Sequence, residues 1–92
     1  MDLSLAQFES FVGEPHEIVF ADGSLPVVLE KAEGLPRSIR EAGAFRLEWR
    51  GPAEPLLGQA IYRFRRGEEQ FDMFIVPVGK DERGALYEAI FN

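Results

Sequence analysis

A chain of 92 residues with 46% apolar content has the material for one hydrophobic core and no room for a second folding unit, so residues 1–92 read as a single domain. It carries no cysteine, which excludes disulfides, thiolate metal sites and a cysteine nucleophile. A net charge of −6 disfavours nucleic acid and anionic membrane as partners, because binding to phosphates needs a basic surface.

The opening Met1-Asp2-Leu3-Ser4 has no positive charge and leads into no apolar run long enough for a signal peptide, and no later window approaches a membrane span. A cytoplasmic location is therefore the expectation. Ser4-Leu5-Ala6-Gln7 has the form of a capping box. Leu5, Phe8, Phe11 and Val12 then recur at spacings of three and four, Gly13 can take the left-handed position and Pro15 blocks continuation. This spacing predicts a short amphipathic helix over about residues 4–12, which must dock its Leu/Phe stripe on something apolar.

From Glu17 the period changes to two. Ile18 and Phe20 precede Ala21-Asp22-Gly23-Ser24, whose Asp-Gly pair suits a tight turn, and Leu25, Val27 and Leu29 continue beyond it. Residues 16–31 thus predict a hairpin. Glu33 to Ala44, with Gly34, Pro36 and Gly43, reads as an irregular connection with room for one helical turn at Arg37 to Glu41. Phe45-Arg46-Leu47-Glu48-Trp49-Arg50 alternates without a fault and is the cleanest half-buried strand.

Gly51-Pro52-Ala53-Glu54-Pro55 is a stiff loop, since two prolines fix φ and neither can donate to a ladder. The rest, Gln59 to Asn92, predicts a meander. Its strands run through Tyr62-Arg63-Phe64-Arg65, Phe71-Asp72-Met73 and Leu86 to Phe91, with turns at Arg66-Gly67 and Gly79 to Gly84. Phe71, Met73 and Ile75 fall on one face of the middle strand while Phe74, Val76 and Val78 fall on the other. Both faces need cover, and the N-terminal helix is the candidate for the second. Pro77 marks the end of regular pairing or an edge position. The fold class that results is mainly β: a small six-stranded antiparallel barrel or curled sheet over about residues 16–91, capped by one N-terminal helix.

Charge is segregated along the chain. Residues 37–66 hold seven arginines against three acids, and the flanking segments are acidic. On a meander, Arg63 and Arg65 lie across from Glu68 to Asp72, forming cross-strand pairs worth about 0.2–1 kcal/mol each.

No constellation points to catalysis. His16 is the only histidine; Glu14 and Glu17 beside it belong to a loop and the opposite strand face, so a metal site lacks ligands, and a histidine at a strand entrance reads as a surface residue. Ser4, Ser10, Ser24 and Ser38 fall at a helix cap, a helix surface and two turns, with no partner base. Glu48 and Glu88 lie on strands, but paired-acid chemistry needs a cleft larger than this chain can build. Gly79-Lys80-Asp81-Glu82-Arg83-Gly84 lacks the ending of a phosphate loop and leads into a strand. Trp49, Tyr62 and Tyr87 alternate with Arg46, Arg50, Arg63 and Arg65, so the rings point away from the arginines and into the core rather than forming a stacking platform for nucleic acid.

Leu56-Leu57-Gly58-Gln59-Ala60-Ile61-Tyr62-Arg63-Phe64, then Phe74-Ile75-Val76-Pro77-Val78-Gly79, then Tyr87-Glu88-Ala89-Ile90-Phe91-Asn92 resemble a family of short bacterial proteins classed only as a domain of unknown function. Members also begin with a Phe-containing helix and carry an Arg-Gly-Pro like Arg50-Gly51-Pro52. The resemblance covers nearly the whole chain, and the Val-Pro-Val-Gly to Tyr-Glu-Ala-x-Phe-Asn segment is its most specific part. It implies no activity, cofactor or catalytic residue, and only an association with phage-tail-like or collar-containing neighbours.

Two functional expectations follow. The first is a non-enzymatic module that docks on a partner protein or on itself, with the terminal strand (Leu86, Glu88, Ile90) presenting an open ladder edge. The alternative is a barrel whose interior, lined by Trp49, Tyr62, Phe64 and Tyr87, holds a small apolar ligand. Neither involves a cofactor, nucleic acid or membrane.

Overall fold

Alternating side chains close on themselves in the computed structural model, which describes residues 4–35 and 44–91. The helix α1 (Leu5–Glu9) precedes six strands: β1 (Pro15–Phe20), β2 (Gly23–Gly34), β3 (Phe45–Gly51), β4 (Ala60–Arg66), β5 (Glu69–Asp81) and β6 (Gly84–Phe91). All pairings are antiparallel and the order is β1-β2-β3-β6-β5-β4, a closed barrel in which Ile18 of β1 lies opposite Phe64 of β4 at the seam. The helical turn proposed for 37–41 lies outside the described residues.

Period two sorts the residues between inside and outside. Leu47 and Trp49 of β3, Phe71, Met73 and Ile75 of β5, and Tyr87 and Ala89 of β6 are buried in one cluster with Ile18, Val27, Leu29 and Phe64. Arg46, Glu48 and Arg50 face outward, as their alternation requires. Glycine makes two of the turns possible: Gly67 adopts φ 61 after β4, and Gly84 adopts φ 120 where an added Cβ would overlap the carbonyl oxygen of Gly51.

β5 is the strand that closes the barrel. Its first half, through Ile75, pairs with β4, and its second half, from Val76, pairs with β6. The β5–β6 register shifts between Pro77 and Gly79, as expected of a proline that cannot donate to a ladder. Beyond the Val76–Glu88 pair no further pairing joins β5 to β6, although Ala89, Ile90 and Phe91 remain paired with β3.

At that end of the barrel α1 supplies a lid of rings. Phe8, fully buried, sits with its ring 5.8 Å from Phe71 of β5, 5.8 Å from Phe91 of β6 and 6.1 Å from Phe45 of β3. Burying a side chain of this size stabilises by about 1.5–3 kcal/mol. The Ser4 hydroxyl accepts from the N–H of Gln7 as the helix cap, and Gly13, at φ 87, donates its N–H to Leu29 O at 2.8 Å, tying the helix exit to β2. The opposite end is closed by residues 52–59. There the Leu57 N–H donates to Tyr87 Oη at 2.9 Å, and the Tyr62 hydroxyl donates to Gly58 O at 2.7 Å.

The helix therefore does not cover the outer face of β5, as its apolar residues had suggested. Five residues cannot span a strand of thirteen, and the ring-lined opening is the deeper apolar site for Phe8. The last hairpin is also tighter than expected, because β5 continues through Gly79 to Asp81.

Candidate interaction surface

The outside of the barrel has two characters. Across β2, β3 and β6 it is a lattice of ion pairs centred on two arginines. Arg46 donates to Glu33 at 2.7 Å, to Glu48 at 2.6 Å and to Glu88 at 2.7 Å. Those hydrogen bonds, Glu33's first, hold its guanidinium above its ordinary range, and Arg46 in turn holds the Glu33 carboxyl below its own. Arg50 reaches Asp81 at 2.7 Å and Glu30 at 3.3 Å, and Glu30 also takes Arg83. The Asp81 carboxyl is held low, first by the Arg83 backbone N–H and then by Arg50. Glu48 and Glu88 lie directly opposite one another on β3 and β6, and Arg46 between them neutralises both.

A concavity of about 450 Å³ opens beside this lattice, between Val12, Val28, Glu30, Lys31, Glu48 and Arg83. Each of its charged side chains is already engaged in an ion pair.

Past Asp72, the outside of β5 turns apolar. Ile61 of β4 and Phe74 of β5 are cross-strand partners, exposed to 67% and 51%. Val78 on β5 is 49% exposed at the register shift, and Ile90 is 45% exposed just past the point where β5 and β6 part. Leu56 is exposed in the loop whose Glu54 pairs with Lys80 of β5 at 3.2 Å. A lone exposed apolar residue is ordinary, whereas several gathered around one strand mark a surface that another molecule can cover.

The central arginines find partners, though not all the expected ones. Arg63 pairs with Asp72 at 2.6 Å, across β4 and β5 as the meander required. Arg65 instead crosses the β1–β4 seam to Glu17 at 2.7 Å, and Arg66 reaches Glu14 at 2.7 Å. Barrel closure, which local alternation does not encode, brings those acids alongside.

Leu86, Glu88 and Ile90 are not an open ladder edge. Closure seats β6 between β3 and β5, so Leu86 and Glu88 are paired on both sides and Glu88 is tied to Arg46. Ile90 alone of the three lies beyond the β5 pairing, and it presents its side chain to the outside. Trp49, Phe64 and Tyr87 do point inward, but they fill the interior rather than line a void. All three are fully buried, and the Trp49 and Phe64 rings stand 4.7 Å apart. Tyr62 is half-buried against Phe20 near the end closed by the loop.

His16 is not a surface residue. It is 2% exposed, with its ring 4.9 Å from Trp49, 5.8 Å from Phe11 and 6.4 Å from Phe71. The signal was present in the sequence, because His16, Ile18 and Phe20 alternate and share a face. Its Nδ1–H donates to Glu14 O at 3.0 Å, which leaves Nε2 as the unprotonated nitrogen. Nε2 and the Nε1–H of Trp49 are the buried side-chain polar atoms without a protein partner among the described residues. Among those residues, no group of three or more His, Asp or Glu is placed to hold a metal ion, and no helix is long and apolar enough to cross a membrane.

A family model described as a domain of unknown function, DUF6916, matches residues 3–91. The chain belongs to this family. No curated protein and no solved structure matches it. The match spans the whole barrel together with α1, so the cap and the strands are one family unit.

Proposed function

We propose that this DUF6916 domain is a non-enzymatic protein-interaction or structural accessory module of the bacterial cytoplasm, serving a phage-tail-like or secretion-associated assembly. The observation that carries the reading is the apolar outer face around Phe74, with Ile61, Val78 and Ile90 beside it. An acidic chain of net charge −6 favours a protein over an anionic lipid or nucleic acid as the occupant. Docking goes through side chains of β4 and β5 and not through strand addition to β6, whose Leu86 and Glu88 are already paired on both sides.

The test is size exclusion with light scattering, together with pull-down from the native host, for the wild type and for Phe74→Ser. The reading requires an assembly or a captured protein that is lost with Phe74→Ser while the far-UV spectrum is kept. A strict monomer with nothing captured, or capture indifferent to the substitution, counts against it.

A further inference from the structure

A buried imidazole stands beneath the helix that closes the barrel. His16 lies at the start of β1, and the segment joining α1 to β1 folds over it: Phe11 packs on the ring, and Glu14 O takes the Nδ1–H. On the remaining sides are Trp49 from β3 and Phe71 from β5, neither of which offers a charge. β2 contributes Val27 as the strand partner of His16. The charged groups that face the ring are Arg66 at the end of β4 and Glu14, and these two pair with each other at 2.7 Å. Arg66 also shares itself with Glu69 at 3.4 Å, and its guanidinium lies 4.1 Å from the centre of the Phe11 ring.

A second proton on this imidazole finds no protein acceptor among the described residues. Nδ1 already carries the hydrogen given to Glu14 O, so the proton must go to Nε2, which is buried and faces no protein oxygen or nitrogen within hydrogen-bond reach. The resulting cation is desolvated by three aromatic neighbours and stands near the Arg66 guanidinium. Two routes relieve it: global unfolding, or lifting the 11–14 segment so that water reaches the ring. The second gives up far less, because α1 is five residues long and too short to hold itself together once undocked.

We propose that His16 is a pH-responsive latch on the capped end of the barrel: when the ring charges, the segment from α1 to Glu14 lifts and uncovers the Phe45, Phe71 and Phe91 rings that Phe8 occupies. The direction follows from linkage. Burial, and secondarily Arg66, lower the affinity of the docked ring for a proton below the ordinary 6.5, while the undocked ring binds one near that value. The closed state is therefore fully favoured above about pH 6.5 and loses ground as pH falls below it. Opening takes up at most one proton, so its equilibrium constant rises by up to tenfold per pH unit in that window. The carboxylates held low in the fold titrate below 4.5 and leave the window clear.

The experiment follows the imidazole by NMR, which needs no assignment because the chain holds one histidine, and measures amide exchange at pH 7.5 and 5.5, corrected for intrinsic rates. The latch requires a ring midpoint below 6.5. It also requires protection at Phe8, Phe11 and Gly13 to fall by up to tenfold per pH unit while Leu47 and Trp49 of β3 keep theirs. His16→Asn, which keeps an N–H donor for Glu14 O but cannot charge, flattens this dependence. A ring that titrates at 6.5, helix amides that lose protection only together with β3, or an equal loss in the asparagine variant overturns the proposal. Should that variant not fold, the wild-type titration and exchange decide alone.

Discussion

The faces carried by β3 and by β5 share one core and one strand order, yet they treat water in opposite ways. On β3 the outward residues Arg46, Glu48 and Arg50 are consumed by partners on β2, on β6 and at the end of β5, so this face is satisfied within the domain. On β5 the outward Phe74 has Ile61 as its cross-strand partner, and both remain exposed. The contrast teaches what internal pairing does: the β3 side chains cover one another through their ion pairs and are largely withdrawn from water, whereas Phe74 and Ile61 stay in it. The apolar face has no bonding to complete and gains only by being covered.

The comparison can first be broken at what both faces share. Gly84→Ala places a Cβ on the Gly51 carbonyl oxygen at φ 120, so it should cost more than about 3 kcal/mol in urea unfolding, or prevent folding, and remove both faces together. Next, Arg46→Ala leaves Glu33, Glu48 and Glu88 facing one another. Equilibrium denaturation should show a loss of about 2 kcal/mol at pH 7, and an unchanged midpoint would mean that the lattice is decorative.

Acid sharpens the contrast further. Glu33 and Asp81 have folded pKa values below their ordinary 4.5 and 3.8, so the stability they supply is present above those values and is lost as pH falls through the lowered ones. Thermal melts of Glu33→Gln between pH 5 and pH 3 should fall less steeply than those of the wild type. Smallest of all, Phe74→Ser should move stability by no more than about 0.5 kcal/mol, since its side chain is half in water, and Arg63→Ala, from an exposed pair, should leave the denaturation midpoint where it is. A loss above 1.5 kcal/mol for Phe74→Ser would mean that this face is structural after all.

Much of the fold was legible because its determinants are local. The unbroken alternation of Phe45 to Arg50, the glycines at 23 and 67, and the proline that interrupts β5 each act within a few residues, and six strands follow from them. Closure is different. Whether the final strand is an edge or an interior member depends on contacts between β3 and β6 some forty residues apart, so Leu86 and Glu88 read as exposed backbone when they are doubly paired. The apolar outer face was visible as Phe74, Val76 and Val78. What was not visible is that α1 would prefer the barrel mouth and leave that side uncovered. His16 departs from the surface expectation for a simpler reason: residue type favours the surface, but its place two residues before Ile18 puts it on the inner side.

The seat of β6 also bears on how the domain is made. Of the six strands it leaves the ribosome last, yet it is the wedge between β3 and β5, without which the cylinder is an open sheet whose halves join only through β1 and β4. A nascent chain that has reached only Arg83 holds five strands with the gap for the sixth open and the greasy side bare. Closure of the barrel therefore waits for this strand, and the interval before it is when the domain most needs a chaperone.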